Sequence, residues 1–192
     1  MTNRIIRGVM LLMSIWSSIF SGLGWANEDA KLAKGKAMFT ELRQMSLTTE
    51  PSKLNIVFDG KNQVWGVVME QLRGATVVSL TCLADGSTSF YFSNGGGIIG
   101  MGEHQEPREA SKAFISKAAD YLEWATITIE YPLPSGDEVQ FYFRTFKGVY
   151  KATTTMSELE SGKSSLTPLY ASAQDVITQC RLTEQKIKQV NG

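Results

Sequence analysis

The sequence predicts an α+β fold in which about three helices pack on a single antiparallel sheet. Apolar and polar residues alternate in several short segments, and these are separated by the turn-forming pairs Asp59-Gly60 and Asp85-Gly86. Such short links join antiparallel neighbours. In three longer segments, apolar residues instead recur at spacings of three and four, as in amphipathic helices. We therefore expect a meander of three or four strands, a separate strand pair and about three helices.

The first half of the chain predicts a helix followed by the meander. The helix covers about residues 29–46, and Gly35 weakens it. Its predicted apolar side consists of Leu32, Met38, Phe39 and Leu42. Residues 54–58 (LNIVF) and 63–71 (QVWGVVMEQ) are predicted to form a hairpin. ATVVSLTCLA and STSFYFS are the third and fourth predicted strands.

The second half predicts a helix, a strand pair and a last helix. Pro107 suits the first turn of a helix. The apolar face of this helix is predicted from Ala110, Ala113, Phe114, Ala118 and Tyr121. EVQFYFRTF and KGVYKATTT form the predicted strand pair, and an amphipathic helix runs from about residue 168 to 188. The order of these elements is similar to that of profilin-like and roadblock-like folds, a similarity of topology that does not fix function.

The N-terminal segment, residues 1–26, has the layout of a secretory signal peptide. Arg4 and Arg7 precede a largely apolar run over residues 8–25, and Ala26 is a small residue before a predicted cut at Asn27. A charged start, an apolar middle and a small-residue exit are typical of such signals. This favours a periplasmic or secreted protein, with residues 27–192 forming one domain that ends in a polar tail from about residue 183.

Two alternatives to a cleaved signal remain open. A membrane-spanning helix needs about 20 apolar residues, and this run comes close. The segment could then be an uncleaved inner-membrane anchor, the one contact with a membrane that the sequence predicts. Alternatively, the first start codon is not used and translation begins at Met38 or earlier.

Composition excludes several function classes. Lysine and arginine together number 19, as do aspartate and glutamate. No net field therefore draws the chain to nucleic acid, and no basic run interleaved with aromatic residues is present. The 43% of hydrophobic residues is ordinary for a globular protein. No motif predicts a cofactor.

The two cysteines, Cys82 and Cys180, are predicted to point into the core. Cys82 continues an apolar strand face of period two, and Cys180 continues a helical stripe with Ala173 and Val176. In an exported protein this permits a disulfide between sheet and last helix. Two buried free thiols are the alternative. A metal site is not predicted, since two separated cysteines and one distant histidine lack clustered ligand spacing.

The segment Phe92 to Phe114, FSNGGGIIGMGEHQEPREASKAF, joins strand to helix through Gly95, Gly96 and Gly97. It matches neither a dinucleotide-binding nor a P-loop pattern. The glycines are interpreted as the positive-φ residues that let the chain leave the sheet and turn toward the helix.

A longer motif contains this segment. Residues 64–104, VWGVVMEQLRGATVVSLTCLADGSTSFYFSNGGGIIGMGEH, resemble a family of small uncharacterised bacterial proteins. That family shares the motif VWGVxM…ADGSTSxYFSxGGGxIGxGEH, and the similarity extends from about Leu42 to Arg181. The resemblance implies no activity, cofactor or catalytic residue. The leader and the two cysteines are not features associated with that family.

The glycine segment also holds the candidate site. His104, the single histidine of the chain, beside Glu103, could act as a general base. The candidate binding residues are Ser93, Asn94, Gly95, Gly96, Gly97, Glu103, His104 and Arg108. The favoured hypothesis is a non-catalytic interaction module that uses a sheet edge or this corner to bind a protein partner or a second copy. The alternative is a small hydrolase or transferase centred on His104.

Overall fold

The computed structural model describes residues 28–61 and 63–191. Its strands are β1 (Val64–Arg73), β2 (Thr76–Leu83), β3 (Thr88–Phe92), β4 (Gly97–Ile98), β5 (Thr126–Thr128), β6 (Glu138–Thr145) and β7 (Gly148–Thr155). Its α-helices are α1 (Glu28–Thr48), α2 (Gln105–Ala118), α3 (Met156–Glu160) and α4 (Thr167–Asn191). Short 3-10 helices cover Pro51–Leu54, Met101–Glu103 and Ala119–Trp124. The seven strands form one antiparallel sheet in the order β4-β3-β2-β1-β6-β7-β5. The predicted α+β class with a single antiparallel sheet is confirmed.

One face of the sheet holds the main hydrophobic core. Helices α2 and α4 pack against each other and, with the sheet, enclose this core. Side chains of alternate strand residues, such as Val67 and Met69 on β1, point into it because side chains alternate across a strand. Phe114 and Leu169 are fully buried helix residues of this cluster, and each such side chain contributes about 1.5–3 kcal/mol of burial energy.

The opposite face of the sheet is covered by helix α1. This face carries two small apolar clusters. Leu47 packs with Val68 and Tyr142, and Phe39 packs with Tyr91. The sheet also carries buried polar side chains: Glu70, Ser79, Thr81, Gln140 and Arg144. The two faces therefore differ in chemistry.

The predicted hairpin around Asp59-Gly60 is wrong in its first strand. Residues 54–58 form no strand; Leu54 ends a 3-10 helix and Asn55 is left-handed, with φ 57°. Strand β1 pairs with β2 on one side and with β6 on the other. Both of its hydrogen-bonding edges are occupied, so a strand from residues 54–58 has no edge to join.

Other differences are additions. The short strands β4 and β5 and the helix α3 are not predicted from the sequence. Helix α3 begins at a capping box in which Thr155 and Glu158 satisfy each other's backbone N–H groups. The segment from residue 183, predicted as a polar tail, continues helix α4 to Asn191, and Thr183 is buried.

The predicted signal peptide or anchor, residues 1–26, and the cut before Asn27 lie outside the residues that the structure describes. None of the helices within 28–61 and 63–191 has the length and apolar character needed to span a membrane.

Candidate functional site

The glycine corner, residues 95–97, is a backbone-to-backbone contact with helix α1. Gly95 has a φ of 95°, where a side chain is strained. A Cβ added to Gly95 would lie 2.9 Å from the Cα of Gly35, and a Cβ on Gly35 would lie 2.8 Å from the Cα of Gly95. The glycine predicted to weaken the helix is thus the residue that lets the helix touch the corner.

The rest of the corner is filled by the protein itself. A Cβ on Gly97 would lie 2.6 Å from the backbone oxygen of Phe90. Ile98 and Met101 are buried in the main core. Ser93 is also structural, because its Oγ accepts a hydrogen bond of 2.9 Å from the backbone N–H of Val77. Asn94 is exposed and Gly96 faces open space. A filled corner favours the interaction module over a small-molecule site.

His104 lies half-buried immediately before helix α2. Its backbone N–H donates to the carbonyl of Met101, and its side chain does not cap the helix. Within the described residues, His104 forms no side-chain hydrogen bond to a hydroxyl, thiol or carboxylate. A general base needs its proton donor within hydrogen-bond reach. Among the residues that the structure describes, no hydroxyl or thiol is therefore in hydrogen-bond contact with this candidate base.

The charged neighbours of His104 have structural partners. Arg108 donates from Nε to the backbone oxygen of Gly102. Its Nη2 lies 3.9 Å from Glu103 Oε2, in an exposed ion pair. A backbone hydrogen bond at the helix start lowers the pKa of Glu106, and Lys186, 3.5 Å away on α4, acts in the same direction. Arg108 thus fastens the corner to helix α2, and Lys186 links helix α4 to helix α2.

A buried polar network fixes helix α1 to the sheet. Arg43 donates from Nε and Nη2 to the two carboxylate oxygens of Glu70, both at 2.8 Å. Ser79 Oγ donates to the same carboxylate at 3.0 Å. Burial lowers the pKa of Arg43, but the hydrogen bonds and charge of Glu70 outweigh it, and the net shift is upward. The bidentate pair holds the middle of the helix in one register.

The end of helix α1 is held by Arg144 on β6. Its guanidinium donates to the backbone oxygens of Ser46 and, at 2.6 Å, Thr49. The same group stacks over the Trp65 ring at 4.4 Å. A cation at the carboxyl end of a helix is favourable because the last carbonyls lack intrahelical partners. No local sequence pattern predicts this network, because its residues come from segments that are far apart in the chain.

Cys82 and Cys180 both lie in the main core and are free thiols in the structure. The predicted inward direction of both side chains is confirmed. Burial raises the pKa of the Cys82 thiol to about 12, and the nearby Cys180 acts in the same direction. Burial raises the pKa of Cys180 to about 11. The disulfide remains a prediction.

Other charged clusters do not make a metal site. Between residues 28 and 191, position 62 aside, no group of three or more His, Cys, Asp or Glu side chains is placed to hold a metal ion. A shallow groove between α2 and α4 is lined by Glu106, Glu109 and Asp175. The charged residues that line this groove are all acidic, and a cluster of acidic side chains does not by itself define a ligand site.

The free edge of the sheet is the apolar surface that the sequence analysis missed. Ile127 on β5 is 64% exposed, and Ile129, directly after it, is 90% exposed. Ile127 lies over Gly148, 3.4 Å from the position of a Cβ on that glycine. The alternation Thr-Ile-Thr-Ile over residues 126–129 is a strand signal. We call Ile127 and Ile129 the edge pair.

An exposed aromatic contact lies next to the edge pair. Thr128 pairs with Val149, so Ile129 lies at the level of the turn between β6 and β7. That turn carries Phe146, whose ring lies 5.1 Å from the ring of the half-exposed Phe58. Apolar residues thus continue from the strand edge onto the adjacent turn, an arrangement that marks interaction surfaces.

Comparison of the chain with protein-family models, curated proteins and solved structures finds no match.

Proposed function

We propose that this protein is a non-catalytic interaction module that binds by accepting an additional strand at the β5 edge. The observation that carries the proposal is the exposure of Ile127 on an end strand of the sheet, and of Ile129 directly after that strand. An end strand presents unpaired backbone donors and acceptors, and soluble proteins usually protect such edges with charge or cover. Residues 126–129 carry no charge.

The opposite edge of the sheet supports the choice of β5. Strand β4 is two residues long, and helix α4 contacts it. The glycine corner beside it is occupied by helix α1 through Gly35 and Gly95. Of the two surfaces that the sequence offers for binding, the corner is internally packed and the β5 edge is open to solvent.

Strand addition accounts for the residue types at this edge. Backbone hydrogen bonds to the added strand supply affinity, while alternate side chains supply selectivity. Ile127 lies on one face of β5, and Thr126 and Thr128 lie on the other. Burying an isoleucine side chain contributes about 1.5–3 kcal/mol. The preferred ligand is therefore an uncharged, β-branched strand.

An extracytoplasmic location forms part of the proposal. It rests on Arg4, Arg7 and the apolar run that follows them. Sequencing the N-terminus of protein from the cell envelope tests it, with residue 27 as the expected start. A start at residue 1 on a membrane-embedded chain would replace the cleaved signal with the anchor.

Site-specific photocross-linking in the intact chain tests the edge. Benzoylphenylalanine replaces Ile129 in one variant and Val190, which is 85% exposed on α4, in the control. We expect one discrete adduct from position 129, lost when Ile127→Lys is added, and none from position 190. Equal yields from the two positions, or an adduct that survives Ile127→Lys, would reject the β5 edge as the binding surface.

A further inference from the structure

We infer that the loop before strand β1, residues 55–61, docks onto a bilayer surface that contains anionic phospholipids. This inference goes beyond the proposed function, because it concerns another loop and another class of ligand. Val57 is 83% exposed and the adjacent Phe58 is 51% exposed. Together with Phe146, whose ring lies 5.1 Å from that of Phe58, they form a surface that we call the loop tip. Exposed apolar side chains gathered in this way mark protein or membrane interaction sites.

Hydrogen-bonded turns on both sides hold the loop tip in its exposed position. On one side, the backbone N–H of Ile56 donates to the carbonyl of Pro51 at 3.0 Å. On the other side, the backbone N–H of Lys61 donates to Asp59 Oδ1 at 2.9 Å. A Cβ on Gly60 would meet no atom of the described residues within 4 Å, so the loop borders open space there. An exposed apolar point of this kind can enter the boundary between lipid headgroups and acyl chains.

Basic side chains surround the loop tip. Lys53 and Lys61 lie on either side of it along the chain, and Lys147 follows in the β6–β7 turn; all three are exposed. The segment 51–61 and this turn hold one acidic residue, Asp59. Three lysines and one aspartate therefore give a local formal charge of +2. Lysines at a bilayer surface attract anionic headgroups, while their aliphatic stems extend along apolar surface.

The next acidic residue along the chain, Glu50, has a cation of its own nearby. Burial lowers the pKa of the Arg144 guanidinium to about 10, and the charge of Glu50 acts in the opposite direction. The lysines thus remain in excess around the loop tip, although the whole sequence has a formal net charge of zero. Residues 55–61 form no strand, so strand addition does not explain their exposure. Apolar residues flanked by lysines are instead typical of segments that lie in the membrane interface.

Fluorescent probes on the full chain test this contact. Cys82 and Cys180 are buried, so a polarity-sensitive thiol dye labels the introduced cysteine of Val57→Cys or of the control Val190→Cys. Position 190 is 85% exposed on helix α4. Each labelled protein is mixed with vesicles of phosphatidylcholine and phosphatidylglycerol that contain a spin-labelled lipid as quencher. We expect blue-shifted and quenched emission from position 57, and unchanged emission from position 190.

Second changes in the labelled Val57→Cys protein identify the cause of the quenching. Phe58→Ser and Lys147→Glu should each reduce it, whereas Val190→Ser should not. Circular dichroism confirms that each variant is folded. Vesicles of phosphatidylcholine alone should give little quenching, because they lack the anionic headgroups that attract the lysines.

Several outcomes would overturn the inference. These are no quenching at position 57, equal quenching at positions 57 and 190, equal quenching in the two kinds of vesicle, or quenching that Phe58→Ser does not reduce. An emission shift at position 57 that appears without vesicles as protein concentration rises would also overturn it, because a second copy would then cover the loop tip. The β5 edge is tested separately, by the photoadduct from position 129.

Discussion

At the scale of single residues, the contact between Gly35 and Gly95 determines how helix α1 meets the sheet. Gly95 and Gly96 have nearly the same backbone conformation, with φ of 95° and 90°. Only Gly95 faces another backbone; Gly96 faces open space. The two neighbours therefore form a natural pair for separating backbone strain from packing.

We predict that Gly96→Ala lowers the free energy of unfolding by about 1–2 kcal/mol, the cost of a side chain in a left-handed conformation. Gly95→Ala should cost a further ~1–3 kcal/mol, because its Cβ overlaps helix α1. Chemical denaturation measures both. Equal losses of unfolding free energy in the two variants would show that helix α1 moves to accommodate the added Cβ at no cost in stability.

His104→Ala serves as the control for chemistry at the same corner, and it should leave the melting temperature nearly unchanged. Suppose that Gly96→Ala has the same melting temperature as the parent while His104→Ala abolishes a cellular phenotype. The corner would then be an active site, and the interpretation as an interaction module would be wrong.

The pair of Arg43 and Glu70 gives a second prediction at this scale. Glu70 is fully buried, so Arg43→Ala leaves a carboxylate without its ionic partner. Breaking a buried pair costs about 3–5 kcal/mol. The lower end applies here, since the Arg43 side chain is 12% exposed. Thermal or urea unfolding measures the loss.

A double variant separates the pair from the packing of the helix. Arg43→Met combined with Glu70→Met removes both charges, and apolar replacements of buried pairs often restore stability. We expect the double variant to be more stable than Arg43→Ala. A double variant that is less stable would mean that the register of α1 depends on the ion pair itself.

At the scale of elements, the correctly predicted parts are those in which the spacing of apolar residues indicates a strand or a helix without ambiguity. Strands β1, β2, β3, β6 and β7 and helices α2 and α4 are of this kind. Helix α1 is predicted in place, but only Phe39 of its predicted apolar side is buried. Met38 and Leu42 are half-buried, and Leu32 is 43% exposed. Its sheet face includes Gly35, Arg43 and Ser46, which a hydrophobic pattern cannot identify.

The elements that were missed are short or depend on distant partners. Strand β5 has three residues and exists because β7 has a free side. The 54–58 segment has strand-like residues, but β1 is already paired on both edges. The sequence predicts the positive-φ glycines of the corner, and the structure has them there, whereas the edge pair required knowledge of the strand order.

The two core cysteines give the prediction at the scale of elements. We predict a disulfide between Cys82 on β2 and Cys180 on α4 in protein taken from an oxidising compartment. The chain-entropy estimate for a loop of this size is about 4–5 kcal/mol, less any native strain. Reduction should therefore lower the melting temperature.

Thiol titration distinguishes the two states of this pair. Both side chains are fully buried, and this burial raises their pKa values to about 12 and about 11, so free thiols would react only after unfolding exposes them. With a disulfide, no thiol should react even in denaturant. Two reactive thiols in denatured, unreduced periplasmic protein would contradict the prediction.

At the scale of the whole molecule, the strand order predicts a gradient of hydrogen exchange across the sheet. Strand β1 has neighbours on both sides and is buried over most of its length, so its amides should exchange most slowly. Amides of β5 in the monomer should exchange rapidly. Exchange mass spectrometry over peptides from both strands tests this order.

The same exchange measurement can be repeated at increasing protein concentration, and the amides of β5 and β1 can be compared again. If copies pair through β5, its amides become protected as concentration rises, while those of β1 do not change. Exchange of β1 as rapid as that of β5 in the monomer would contradict its central position in the sheet.

The course of helix α1 has a consequence for how the protein can be attached to a support. Residues 30–34 are exposed, and Gly35 meets the sheet at Gly95, so the first turns of the helix project past the β3–β4 side. The β5 edge lies six strand spacings away, about 29 Å. A tether placed ahead of residue 28 therefore leads away from Ile127 and Ile129. Immobilisation by the N-terminus keeps the β5 edge free, whereas coupling through Lys147 at the β6–β7 turn would obstruct it.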